Sequence, residues 1–356
     1  MTILKYFKGS FLIAIIGLIT AFLWGKGMHN AGLSALFTAA FLSVLEVTLS
    51  FDNAVINAVK LEKLTDKWRH RFITWGILIA VFGMRLIFPI IIVSIFAHLS
   101  VFEAANLAVN DINEYTKHLK TAHAPLVTFG GSFLMMIFLS FFFNPDKECH
   151  WLKFIEKHMQ KLHNIKYFDA VCVMTAIIVL QRFMPEDEKT AVMTAGLAGI
   201  ITYLIVDSIS SLLENIENKK AQAAGSIGRL GFIGFLYLEL IDASFSLDGV
   251  LGSFAITQDI IIICIGLAIG AMFVRSLTIY MVEKGTLKQF IYLEHGAHWA
   301  IGFLALIMFI GARTEVPEII TGGIGLLFIS SAFISSILHN RKIEKENAVQ
   351  KIENEA

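Results

Sequence analysis

The chain has 356 residues and no net charge, and 56% of it is hydrophobic while only 16% is charged. A soluble domain carries about a quarter charged residues, so this composition, with a mean hydropathy of +0.69, excludes an ordinary water-soluble globule and points to lipid as the solvent. No HExxH or GxSxG motif is present, which argues against an enzyme.

Lys5 and Lys8 precede an apolar stretch from Phe11 to Trp24. The residues after Trp24 make a poor small-residue cleavage site and more apolar chain follows, so a retained first span is predicted. Runs of spanning length lie at 10–27, 33–58, 72–98, 123–143, 167–184, 189–213, 229–252, 259–282, 296–312 and 317–338. They predict an all-α polytopic membrane protein of about ten helices, because runs this long would leave open strand edges in lipid. The polar segment 99–122 reads as a loop. The stretch 144–166 reads as a basic amphipathic helix anchored on the membrane surface, not as a nucleic-acid site. Residues 1–338 are expected to form one transmembrane domain, followed by a polar cytoplasmic tail at 339–356 that frays into solvent. Cys149, Cys172 and Cys264 lack metal or redox spacing and read as buried thiols.

Lysine and arginine set the orientation. With the N-terminus in the cytoplasm, 21 of the 29 fall in inside segments and 6 in outside loops; Arg85 and Arg275 lie within spans. This positive-inside bias predicts that both termini are cytoplasmic.

The second and seventh spans carry a repeated motif. One reads Glu46-Val-Thr-Leu-Ser50-Phe-Asp52-Asn53 and the other Asp242-Ala-Ser-Phe-Ser246-Leu-Asp248-Gly249. Each is followed by a span with one arginine, Arg85 or Arg275, and then by a span opening on a histidine seven residues before a glycine, His123 with Gly130 or His295 with Gly302. The match covers spans 2–4 against 7–9, in repeats of about 33–143 and 229–312. Five helices separate the paired spans, so the repeats are inverted, as in secondary transporters with a site at the repeat interface.

At 100° per residue Glu46, Ser50, Asn53 and Asn57 fall within about 40° of one line. Glu239, Asp242, Ser246 and Ser253 share a face in the same way, and the sixth span aligns Tyr203, Asp207, Ser211 and Glu214. Asp52 and Asp248 lie about 120° off their stripes, so they face another helix or the helix unwinds there. Six intramembrane acids (Glu46, Asp52, Asp207, Glu239, Asp242 and Asp248) stand against two arginines. The surplus of about four charges, each costing roughly 2.5–3.5 kcal/mol at a helix centre, requires protons, a bound cation or both. Carboxylates with Ser and Asn oxygens and no thiolate suit a hard divalent cation; His123, His295 and His298 would favour Mn²⁺ or another transition metal if they reach the site. Ser50, Ser246, Arg85, Arg275, Glu239 and Asp207 are candidate substrate-path or counter-ion residues. Interhelical hydrogen bonds are the competing use of Ser50, Ser246 and Asn53, and a boundary position is the competing use of the histidines.

EVTLSFDNAV (46–55) resembles the first signature of the TerC-type, tellurium-resistance integral membrane proteins, and DASFSLDGVLGSFAITQD (242–259) with Arg275 is similar to the second. Gly249 stands where that family's pattern has Ser, as in a divergent branch. The resemblance covers about 41–98 and 234–312. It implies metal-ion efflux across the bacterial inner membrane, chiefly of Mn²⁺ as transported ligand without a resident cofactor, and a link to metalation of exported metalloproteins. It also implies Glu46, Asp52, Asp242 and Asp248 as ligands, with Asn53 a candidate fifth. Two further readings stay open: export of a small organic cation or amino acid, and a non-transporting membrane partner for metalation or assembly of exported proteins.

Overall fold

A computed structural model describes residues 4–29, 31–62, 64–79, 83, 87–96, 99–145, 147–224, 232, 234–236, 238–239, 242, 253, 256–257, 259–285, 289–314 and 316–355. Arg85, Ser246, Asp248 and Gly249 lie outside the described residues, as does the side chain of Asp52. The described chain is all-helical: α1 (Leu4–His29), α2 (Gly32–Leu49), α3 (Phe51–Glu62), α4 (Asp66–Leu78), α5 (Phe88–Phe96), α6 (Val101–Asn110), α7 (Ile112–Phe143), α8 (Lys153–Lys161), α9 (Phe168–Phe183), α10 (Lys189–Ala224), α11 (Ile260–Glu283), α12 (Leu293–Gly311) and α13 (Glu318–Glu355).

Seven of these helices are long and apolar enough to cross a membrane, or eight if the bent pair of α8 and α9 counts as one span. They mark the protein as membrane-embedded, and they correspond to the first, second, fourth, sixth, eighth, ninth and tenth predicted spans. The fifth appears as α9, whose 16 residues carry exposed Val171, Ile178, Val179 and Phe183. The described residues of the third comprise α4, α5 and, between them, Ile79, Gly83 and Ile87 in π-helical geometry, and most of the seventh lies outside the described residues.

Three segments differ from expectation. The polar stretch 99–122 is helical, because Ser100 and Glu103 form a capping box that starts α6 and Asp111 accepts the Glu114 N–H to start α7. The tail past 338 does not fray: α13 continues to Glu355, through residues such as Lys345, Glu346, Ala348 and Gln350 that propagate a helix well. In the basic stretch the α-helix covers only Lys153–Lys161, followed by a 3₁₀ turn over Leu162–Asn164. Tyr167, left-handed at φ 58° and ψ 22°, then turns the chain into α9. The axis bends by 104° there.

Two groups of helices pack around α3. α11 lies against α1 and α2, while α7 is held between α10 and α12 with α9 alongside. α3 touches α11 and α12, and α13 touches α12, α2 and α3, so these two helices join the groups. The main apolar core draws on α3, α7, α9, α10, α11 and α12. With lipid as the outer solvent, close backbone approach drives such packing, and α11 supplies it with Gly266 and Gly270 one turn apart. A Cβ on Gly266 would come within 2.6 Å of Leu42 Cβ, and one on Gly270 within 2.5 Å of Glu46 Cβ.

Candidate functional site

The first motif sits where a helix stops and restarts. α2 ends at Leu49, Ser50 departs from helical geometry (φ −99°, ψ 16°) and α3 begins at Phe51. Two backbone bonds still cross the break, from the Ser50 N–H to the Glu46 carbonyl at 2.9 Å and from the Ala54 N–H to the Ser50 carbonyl at 3.1 Å. Such irregular backbone is tolerated only where protein buries it or it lines a polar cavity. Both conditions hold at Ser50, which is buried and lines a cavity of ≈ 20 Å³ together with Asn53, Asn57, Phe72, Asp242, Arg275 and Thr278. That volume accommodates about one water molecule or a bare ion.

The polar groups are ordered by a few bonds. Ser50 Oγ donates to Glu46 Oε1 at 3.0 Å, holding the 2% exposed Glu46 along the predicted stripe. Asn53 Nδ2 donates to Asp242 Oδ1 at 2.7 Å, joining residues 189 positions apart and linking the two motifs directly. Thr278 Oγ1 donates towards the carbonyls of Val274 (3.0 Å) and Ala54 (3.3 Å), fixing α11 to α3 at the cavity wall. Among the described residues no hydrogen-bond donor meets Asn57 Oδ1, Asp242 Oδ2 or either oxygen of Glu239. A buried acceptor left in this state costs about 1–3 kcal/mol.

Arg275 is the charge beside this cluster. Its Nη1 donates to the Phe72 carbonyl at 3.0 Å, and the guanidinium lies 4.0 Å from the centre of the Phe72 ring. Its Nη2 stands 3.8 Å from Glu239 Oε1, an ion pair too long for a hydrogen bond. Gly76 on α4 makes the space for this pair, since a Cβ there would lie 2.6 Å from Arg275 Nη2 and 2.7 Å from Glu239 Oε1.

Of the predicted site residues, the structure thus brings Ser50, Asn53, Asp242 and Arg275 to one cavity, with Glu46 and Glu239 bonded or paired to its lining residues. Asp207 is separate: it is exposed on α10, within electrostatic reach of Lys60 and Asp169. His123, half-buried on α7, does not line the cavity, and neither do His295 and His298. Among the described residues no three His, Cys, Asp or Glu side chains converge. Asn57 and Thr278 complete the lining; Asn57 belongs to the sequence stripe, whereas nothing in the sequence singles out Thr278.

His295 belongs instead to a second buried carboxylate. Glu156 on α8 is 0% exposed. Its Oε2 accepts from Lys147 Nζ at 2.9 Å and the Trp151 N–H at 3.1 Å, and its Oε1 from the Leu152 N–H at 3.0 Å and the Trp299 indole at 3.2 Å. His295 Nε2 lies 3.6 Å from Oε2 and 2.8 Å from the Cys149 carbonyl. His298 bonds the Glu294 carbonyl at 2.8 Å and stacks on Phe141 at 3.6 Å. His295 and His298 are both buried, since Cys149 and the Glu156 site pack against the start of α12. Burial by itself would raise the Glu156 carboxyl, but the Leu152 N–H, Lys147 and His295 outweigh it and hold the group below the ordinary carboxylate value.

No curated protein and no solved structure matches the chain. The family model described as "Protein of unknown function (DUF475)" matches residues 51–343, and the chain belongs to that family.

Proposed function

We propose that the protein transports divalent metal cations across the membrane, with Mn²⁺ efflux as the first assignment. The observation that carries this reading is the pair of buried oxygens in the cavity, Asn57 Oδ1 and Asp242 Oδ2, that no described donor meets. Hard cations are held by such carboxylate and amide oxygens. In this reading Glu46, Asp52, Asn53, Asp242 and Asp248 hold the ion, Ser50 and Ser246 orient them, and Arg85 and Arg275 balance the charge when the ion has left. The cavity volume of ≈ 20 Å³ favours a bare ion over an organic cation or amino acid.

The finer architecture belongs to the same proposal: ten spans, two inverted repeats meeting at the site, both termini in the cytoplasm, and placement in a bacterial inner membrane. The Asn53–Asp242 bond between the two motifs supports the repeat. The TerC-type resemblance supports Mn²⁺ as cargo and a role upstream of exported metalloproteins. No chemical step catalysed by the protein is invoked.

The test is Mn²⁺ uptake by proteoliposomes holding wild type, Asp52→Asn, Asp242→Asn or Asp248→Asn. Wild type should move the ion, and each variant should be slower by about tenfold or more, the scale of losses at perturbed metal sites. Equal rates in all four would discard the site assignment. No wild-type flux, with partner proteins recovered in pull-down, would replace transport by the partner reading.

A further inference from the structure

Helix α8 buries its acid and exposes Phe154 and Ile155, while Met159 packs against the main core. Glu156 is fully buried while Phe154 is 80% and Ile155 46% exposed. Lys153, Lys157 and Lys161 are exposed as well; at 100° per residue they occupy about 80° of the circumference, and Phe154, the exposed His158 ring against it and Ile155 follow over roughly the next 120°. A cationic arc beside an apolar arc is the pattern of a helix lying in the headgroup region of a bilayer.

The fold fixes both the tilt and the rotation of this helix. The 104° bend between α8 with its 3₁₀ turn and α9 sets the two axes nearly at right angles, so α8 runs along the membrane surface when α9 crosses the bilayer. Its rotation is set by the bonds to Glu156 and by Gln160, whose Nε2 donates to the carbonyls of Pro145 (2.9 Å) and Lys147 (3.1 Å). With that face locked onto the protein, the lysine edge and Phe154 cannot turn inward. The corner beyond α8 repeats the composition, with Lys166, Ile165 and Tyr167 all exposed.

We propose that α8 binds anionic phospholipid: Lys153, Lys157 and Lys161 hold the phosphate-bearing headgroups, Phe154 and Ile155 enter the adjoining acyl region, and Glu156 is the positioning residue that presents this face. The occupant is the protein's own bilayer, because the lysines complement its negative headgroups and the exposed apolar pair has the hydrocarbon boundary beside it.

The experiment uses the full-length protein. Native mass spectrometry of protein mixed with phosphatidylglycerol or phosphatidylcholine should show preferential retention of phosphatidylglycerol. The Lys153→Ala/Lys157→Ala/Lys161→Ala variant should lose at least about tenfold of it, since each lysine at an anionic surface is worth roughly fivefold. Arg341→Ala/Lys342→Ala, on the polar part of α13, should retain it. In a second arm, an environment-sensitive fluorophore on Phe154→Cys in phosphatidylglycerol-containing vesicles should be quenched by bromine-labelled acyl chains. Undiminished lipid retention by the triple variant overturns the proposal. So does a fluorophore that stays in water, or one shielded only when a soluble protein partner is added.

Discussion

Asp242 and Glu156 are both carboxylates withdrawn from solvent, and the protein surrounds them in opposite ways. Glu156 receives two backbone N–H groups, an ammonium and an indole. Asp242 receives the Asn53 amide on one oxygen, while no described donor meets the other. The first arrangement rewards the folded state, since a buried charge is tolerated when every lone pair is met. The second gives up stability at a place where an ion would recover it. Burial alone therefore does not separate these two acids; the completeness of their hydrogen bonding does.

The largest effect should come from dismantling the satisfied site. Glu156→Ala leaves Lys147, 7% exposed, and three N–H donors without their acceptor, and it should cost about 3–5 kcal/mol in unfolding monitored in detergent, with Mn²⁺ affinity unchanged. A loss below about 1 kcal/mol, the scale of an ordinary surface pair, would erase the contrast. Gly270→Ala should follow at about 1–3 kcal/mol, because the new methyl carbon would meet Glu46 Cβ, Cγ and the Ser43 carbonyl at 2.5, 2.6 and 2.8 Å; the same unfolding measurement reads it. Asp242→Asn should reverse the pattern seen at Glu156, lowering Mn²⁺ affinity by about tenfold, or 1.4 kcal/mol, with little change in unfolding. Calorimetric titration checks it, and a stability loss like that of Glu156→Ala would make Asp242 a packing residue.

The smallest effect is a pH dependence. The Glu156 carboxyl is held below its ordinary 4.5, so its contribution is complete above that value and is lost as pH falls from there through the lower folded value. The stability difference between wild type and Glu156→Gln should shrink as pH falls below about 4.5. A difference that shrinks already near neutrality would mean that the hydrogen bonds do not hold the charge.

Much of this contrast was legible in the sequence on one side and not on the other. The stripe of Glu46, Ser50, Asn53 and Asn57 follows from helical periodicity, whereas the angular offset of Asp52 leaves a facing helix and an unwound turn equally open; the chain departs from helical geometry at Ser50. Ser50, Asn53, Asn57, Asp242 and Arg275 are legible because lipid makes such polar residues in a span conspicuous, whereas Thr278 satisfies its hydroxyl on its own helix and stays inconspicuous. Glu156 sits among five lysines in a polar segment, where an acid is unremarkable, and its partners are one of those lysines, two backbone N–H groups and an indole 143 residues away. No local pattern encodes that contact. The helicity of 101–122 was missed for a related reason: capping by Ser100 and Asp111, not apolar length, starts those helices.

The length of α13 has a practical consequence. Its 38 residues rise about 57 Å, against a hydrocarbon layer of about 30 Å. Roughly half of this helix therefore extends beyond the lipid as a continuous rod. A reporter or purification handle fused at its end would be carried clear of the headgroups and keep a defined direction relative to the bundle. That makes this end suited to fiducial labels for single-particle imaging and to distance measurements between labelled sites.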